Sequence, residues 1–241
     1  MTADPAIARA LGYPYPAPTG DFIWRDGEAR AFDAGDSLVD RMPVLAVGSN
    51  RAPEQLRRKF GDNAIVPVTV ARLRDHDVVY SAHIASYGSI PATLAASVGT
   101  VVTVSLTWLT PPQLHRMHET EAVGVNYDYG VAETLSIDLG NGRPVVPIGC
   151  YLGRRGALAL NGAPVALTEV QALGRFFVES RQPEMLARVH SDFSEGGDFD
   201  TWLTGLIADQ TSRKALTATL AKRSIPIDLP VFQRIAAISR P

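Results

Sequence analysis

The sequence predicts an α+β protein: a small mixed β-barrel or curled sheet with flanking helices, followed by a helical C-terminal extension. Three observations lead there. Short segments dense in Val, Ile and Thr recur from about residue 43 to residue 155 with few helical stretches between them, a barrel pattern and not a doubly wound one. From Leu167 the periodicity turns helical. The 46% hydrophobic and 20% charged residues of the 241-residue chain are those of an ordinary globular protein. The expected organisation is an N-terminal arm over residues 1–42 packed on the core, a barrel core over 43–155 and a helical extension over 156–241.

Taken in order, residues 2–12 predict a short amphipathic helix on Ile7 and Leu11. The prolines of Gly12–Pro18 then exclude any regular element. Tyr13, Tyr15, Phe22 and Trp24 are costly to leave in water, so the arm is expected to lie on the core. Arg25-Asp26-Gly27-Glu28 signals a turn and a hairpin from Phe22 to Phe32. Pro43–Val47 is apolar enough for a buried strand, and Gly48-Ser49-Asn50 breaks it. Pro53 opens a helix at its first position, where a missing N–H costs nothing. Leu56 and Phe60 set that helix's buried face, with Glu54, Arg57, Arg58 and Lys59 expected to point away. Strands are expected over 65–73 and 77–83, separated by a turn at Arg74-Asp75-His76. Tyr87–Leu94 reads as a loop running into a strand, Ser97-Val98-Gly99 as a turn, and Thr100–Leu109 as a strand. Pro111 and Pro112 start a helix that reaches about Glu121. Strands follow over 128–139 and 144–152, with a hairpin signal at Asn141-Gly142. Helices are expected over 168–180, 183–190, 198–211 and 212–223, with a loop at 193–197.

Composition excludes several classes. A net charge of −2 leaves no basic face for nucleic acid. Cys150 is the sole cysteine, which rules out a disulfide framework and a cysteine metal site. Its apolar flanks, Ile148 to Leu152, predict a buried inert thiol, not a nucleophile. No run of 18 apolar residues exists, so no membrane span is expected. The N-terminal residues lack the pattern of a signal peptide, and a cytoplasmic location is expected.

Two stretches carry candidate chemistry. A strand that ends in Gly48-Ser49-Asn50 and leads into a helix presents backbone N–H groups suited to a carboxylate or phosphate. The plainer alternative is that Ser49 and Asn50 cap the helix. On the helix from Pro112, Leu114 and Met117 mark the buried face. Glu121 extends that face, whereas Glu119 lies about 140° from Leu114 and should meet solvent. A carboxylate aimed inward from a helix end suits general acid/base work; the alternative is that the helix ends near Thr120 and leaves Glu121 in a loop. His115 and His118 share a helix face without a third ligand nearby, so surface histidines and no metal are expected. Ser49 and Ser89 are not in a Gly-x-Ser-x-Gly elbow. The Gly48 loop lacks the second Gly and the Lys of a phosphate P-loop.

Three segments together resemble one family. Val47-Gly48-Ser49-Asn50 is similar to the Tyr-Gly-Ser-Asn loop of the γ-glutamylcyclotransferase-like proteins. Gly99–Leu109 resembles their Gly-x-x-Val-x-Gly-x-x-(Tyr/Trp)-x-Leu strand, and Gln113–Tyr127 resembles the segment in which Leu-Asp-x-x-Glu-Gly precedes a Tyr. The order and approximate spacing match over residues 43–152. The resemblance implies a small β-barrel around one cavity. In it, Val47, Gly48, Ser49 and Asn50 would bind a small γ-glutamyl substrate, chiefly by backbone amides at its α-carboxylate. It also implies Glu121 as the catalytic acid/base, Tyr151 as a cavity tyrosine, and no cofactor or metal. The implied activity is release of 5-oxoproline from a γ-glutamyl amine or peptide by intramolecular aminolysis. Val47 replaces the family's Tyr, Ala122 its Gly, and Thr103 a frequent Gly; the arm and the C-terminal helices exceed its compact core. Two alternatives stand beside this reading: a catalytically inactive barrel serving as a ligand-binding or interaction module, and a metal-dependent hydrolase using His115 and His118. The oligomeric state stays open between monomer and homodimer.

Overall fold

The computed structural model describes residues 4–33, 35–140, 145, 147–194 and 196–235. Helix α1 (Pro5–Leu11) opens with Asp4, whose carboxylate accepts the Ala6 N–H at 2.8 Å, and buries Ile7 and Ala10. The proline segment that follows packs inward, with Tyr13 and Tyr15 buried. The hairpin of β1 (Phe22–Arg25) and β2 (Glu28–Arg30) turns at Asp26 and Gly27, with φ of 54° and 76°. Two positive φ values are what a type I′ two-residue hairpin turn requires.

Strand β3 (Met42–Ala46) sends Val44 into one apolar cluster and Leu45 into another, which explains its unbroken apolar run. After a single 3-10 turn at Ser49–Arg51 comes α2 (Pro53–Phe60), with Pro53 in its first turn. Its N-cap is Ala52, without a side-chain bond, so neither Ser49 nor Asn50 caps the helix.

The frame is a pair of long strands, β4 (Val66–Tyr80) and β5 (Ala92–Leu109). Arg74-Asp75-His76 and Ser97-Val98-Gly99, expected as turns, lie inside this antiparallel pair. The register slips between Arg74 and His76, Asp75 and Gly99 take φ of 60° and 83°, and the Asp75 carboxylate accepts the Gly99 N–H at 2.9 Å. Such a bulge bends a strand and increases its twist without ending it.

The remaining elements are α3 (Pro111–Thr120), β6 (Tyr127–Ala132), β7 (Ile137–Asp138), β8 (Ile148–Gly153), β9 (Ala159–Leu160), β10 (Ala163–Leu167), β11 (Ala172–Leu173), β12 (Val178–Ser180), α4 (Gln182–Phe193), α5 (Phe199–Ala208), α6 (Gln210–Ala221) and β13 (Gln233–Ile235). The strand expected over 128–139 is thus split into β6 and β7. The Asn141-Gly142 hairpin signal, and Glu195 of the expected 193–197 loop, lie outside the described residues. The protein is α+β, with a 13-stranded mixed sheet whose main order is β12-β10-β4-β5-β3-β8-β6-β13. The β3–β8 and β10–β12 pairs are parallel. Among the described residues, β12 and β13 at the two ends of that order do not pair with each other.

The expected helix over 168–180 is absent. That segment instead supplies β11 and β12, tied down by Arg175. The Arg175 guanidinium grips the buried Asp77 carboxylate with two bonds of 2.8 Å and donates to the Val170 carbonyl at 2.8 Å. A bidentate charge-assisted grip of this kind outweighs helix propensity. No helix among the described residues is long and apolar enough to cross a membrane.

Candidate active site

Strand β3 delivers Val47 and Gly48 to the wall of a cavity of about 250 Å³. Glu121 reaches the same cavity from the end of α3. Its N–H bonds the Met117 carbonyl at 2.9 Å and its φ and ψ of −85° and −4° are helical, so the helix face continues through it. Its side chain is 15% exposed, against 53% for Glu119, which pairs with Arg116 at 3.0 Å. Ala122, with φ of 50°, then turns the chain out of the helix.

One carboxylate oxygen of Glu121, Oε1, accepts two hydrogen bonds. The Asn50 side-chain amide donates at 3.1 Å, and the Lys59 ammonium donates from α2. Lys59 was expected on the outer face of α2, yet its side chain is only 3% exposed. The reason is geometric: Lys59 lies three residues after buried Leu56 and four after buried Gln55, so it shares their helix face. Its ammonium also lies 3.1 Å from the Met117 sulfur. The Asn50 Oδ1 atom is buried without a partner among the described residues.

Four phenols complete the walls: Tyr13, Tyr87, Tyr127 and Tyr151. Each is held above the ordinary tyrosine range, foremost by burial, and the Glu121 charge pushes in the same direction at all four. They are therefore neutral hydrogen-bonding groups. Tyr127 donates to the Ala92 carbonyl at 3.1 Å. The Tyr151 hydroxyl lies 2.8 Å from His118 Nδ1. The Tyr13 oxygen accepts the Ala92 N–H at 2.8 Å. His83 also lines the cavity, with Nδ1 3.0 Å from the Ser81 hydroxyl. Burial, and then the charge of Arg155, pushes its imidazole down to about 3, so it is neutral at ordinary pH.

The residues singled out in the sequence, Val47, Gly48, Ser49, Asn50, Glu121 and Tyr151, therefore all line one cavity. His118 departs from the expectation of a surface histidine. It is part-buried against Tyr129 and Tyr151, and burial, with the charge of His115, lowers its affinity for a proton. Among the described residues no group of three His, Cys, Asp or Glu side chains is placed to hold a metal ion. Cys150 is fully buried and burial pushes its thiol up to about 12. Sequence reasoning missed Tyr13, Tyr87, Tyr127 and His83 as parts of the wall, and Lys59 as the partner of Glu121. Helical spacing contained a signal for Lys59; for the others only tertiary contact brings them in.

Such a site has one carboxylate balanced by one ammonium, surrounded by neutral donors and acceptors. It suits a small polar ligand with both signs of charge, and it offers Glu121 for proton transfer.

No family model matches the chain, and no curated protein matches it. Among solved structures, the chain resembles an uncharacterized protein from Homo sapiens at 14% identity, covering 71% of this chain and 89% of that one with a TM-score of 0.41. A protein of Arabidopsis thaliana solved in solution matches at 16% identity, over 66% of this chain and 88% of that one, with a TM-score of 0.39. A structure described as a gamma-glutamyl cyclotransferase matches at 20% identity with a TM-score of 0.39, over 47% of this chain and 66%, just under two thirds, of its own length.

Proposed function

We propose that the chain is a cyclotransferase-type enzyme that releases 5-oxoproline from a small γ-glutamyl amine or peptide. The observation that carries this reading is the meeting of the Gly48-Ser49-Asn50 loop with Glu121 in one cavity. The two lie 71 residues apart in sequence, and Asn50 donates directly to the Glu121 carboxylate. The loop and the glutamate belong to two of the three segments whose order and spacing resemble the γ-glutamylcyclotransferase-like family. The fold we infer is the barrel of that family, with β3, β5, β6 and β8 each contributing a residue to the cavity wall.

In this reading the loop amides hold the α-carboxylate of the substrate, and Tyr151 lines the pocket beside it. Glu121 takes a proton from the α-ammonium. The freed amine attacks the γ-carbonyl carbon, a C–N bond forms to close the five-membered ring, and the C–N bond to the departing amine breaks. Of the three ammonium protons one stays on the lactam nitrogen and two end on the departing amine, carried by Glu121. Nucleophile and electrophile are tethered, so an oriented pocket and one acid/base are nearly the whole apparatus.

The ion pair with Lys59 favours a second reading, a ligand-binding module, because it occupies one oxygen of the proposed base. The two separate in a 5-oxoproline release assay over a panel of γ-glutamyl amines and peptides. The enzyme reading expects turnover that falls about 10²- to 10⁴-fold in Glu121→Gln. Equal turnover in both proteins refutes the assignment of Glu121. No turnover on any panel member, together with binding of the same compounds, identifies the module.

A further inference from the structure

We propose that Tyr13, carried into the cavity by the N-terminal arm, donates its hydroxyl hydrogen bond to the substrate's α-carboxylate. The proposal rests on the cyclotransferase reading and adds to it a residue far from the motifs that suggested that reading.

The direction of the phenol follows from its partners. Its oxygen accepts the Ala92 N–H at 2.8 Å. With that backbone N–H on its acceptor side, the hydroxyl proton has no acceptor among the described residues. The Tyr13 side chain lines the cavity beside Gly48 and Ser49, so the proton is free to meet an anionic oxygen there. Burial, opposed by the Ala92 N–H and reinforced by the Glu121 charge, keeps the phenol protonated.

Gly48 makes room for it. A Cβ placed on Gly48 would overlap the Tyr13 oxygen and lie 3.2 Å from the Ala92 Cβ. The Gly48 φ of −122° lies outside the left-handed region that favours glycine. The missing side chain leaves a space at this wall, and that space is occupied by a phenol. Val47, the preceding residue, offers no polar side-chain atom at this wall.

The arm is fixed well enough to hold a ligand group in place. Ser89 donates to the Ala10 carbonyl at 2.9 Å, Arg9 lies over the Tyr87 ring at 4.6 Å, and Tyr13 meets Tyr15 edge-on at 6.0 Å. Ile7, Ala10 and Leu203 belong to one apolar cluster, so α5 backs the helix from which the arm hangs. The arm and the C-terminal helices thereby gain a function: they position a hydrogen-bond donor at the site.

The test is Tyr13→Phe in the full chain, with Tyr15→Phe as control, because the Tyr15 hydroxyl has no partner among the described residues and lies outside this cavity. Melting curves verify folding. Steady-state kinetics on γ-glutamyl substrates are expected to show KM raised about 10- to 100-fold in Tyr13→Phe, with kcat within about threefold, and Tyr15→Phe within about twofold of wild type. Calorimetric titration with L-glutamate and with 5-oxoproline should show the same loss of affinity. Unchanged or tighter binding in Tyr13→Phe overturns the proposal and marks the phenol as a plug. Wild-type turnover with an unchanged KM in Tyr13→Phe refutes this inference alone. Binding that depends on Tyr13 without turnover refutes the enzyme reading alone, and wild type that neither turns over nor binds these probes overturns both.

Discussion

Replacing Lys59 with methionine removes the ammonium that faces Glu121 while keeping a long side chain on the buried face of α2. The carboxylate left behind is 15% exposed and retains the Asn50 donor at 3.1 Å. Removing one partner of a buried ion pair costs about 3–5 kcal/mol, and the remaining hydrogen bond and partial exposure argue for the lower end, about 3 kcal/mol. A chain of this length loses about 2–4 °C per kcal/mol, so the melting midpoint should fall by about 6–12 °C. A solvated surface pair would cost under about 1 kcal/mol and respond to salt, which a buried pair does weakly. Adding Glu121→Gln to the Lys59→Met variant removes the stranded charge and should recover much of the loss. The double-mutant cycle, followed by urea unfolding at low and high salt, should give a coupling energy of at least about 1.5 kcal/mol. Additive costs, or a midpoint drop below about 2 °C, would refute the reasoning and reduce Lys59 to packing of its alkyl stem.

Two further outcomes test the walls of the site. Burial pushes the His83 imidazole down to about 3, against about 6.5 in an unfolded chain. As pH falls the unfolded state takes up this proton first, so the group costs nothing above about pH 6.5 and removes up to about 1.4 kcal/mol per pH unit between there and about pH 3. His83→Gln should therefore flatten the acid side of the stability–pH profile by one proton; an unchanged slope in urea titrations across that window would contradict burial of a neutral ring. Ala122 sits at φ of 50°, immediately after Glu121, in a conformation that costs a residue with a Cβ about 1 kcal/mol. Ala122→Gly should raise stability by about 0.5 kcal/mol after allowing for the greater freedom of glycine when unfolded, and a lower midpoint would show that the backbone there is not strained.

What could be read from the chain in advance divides by the range of the interactions involved. Glu121 was legible because a seven-residue step along the helix, from Leu114 to Glu121, suffices to place it on the Met117 face. The opening strand, the loop and the proline-started α2 were legible for the same reason. The two supposed turns at Arg74–His76 and Ser97–Gly99 were not, because a charged run and a Ser-Val-Gly run mark turns when each is viewed alone. Only pairing shows that they face each other as a bulge, with Asp75 accepting from Gly99. The 168–180 segment misled likewise: what holds it extended is Asp77, 98 residues from Arg175 in sequence.

Lys59 and Tyr13 fail in opposite ways, and the contrast bears on how such a site is assembled. The position of Lys59 was available from helical spacing, three residues after Leu56, but its charge argued for solvent and overrode the geometry. The missing fact was an anion waiting on α3, which turns a buried lysine from a cost into one half of a pair. For Tyr13 no local pattern exists at all, since its oxygen is fixed by a backbone group 79 residues away. Both were judged by what their own neighbours in sequence could satisfy. Glu121 and Gly48 supply what was missing: one leaves a charge to be balanced, the other leaves a space to be filled. A carboxylate on a helix face and a glycine outside the left-handed region are therefore the two local features from which partners elsewhere in the chain should be sought.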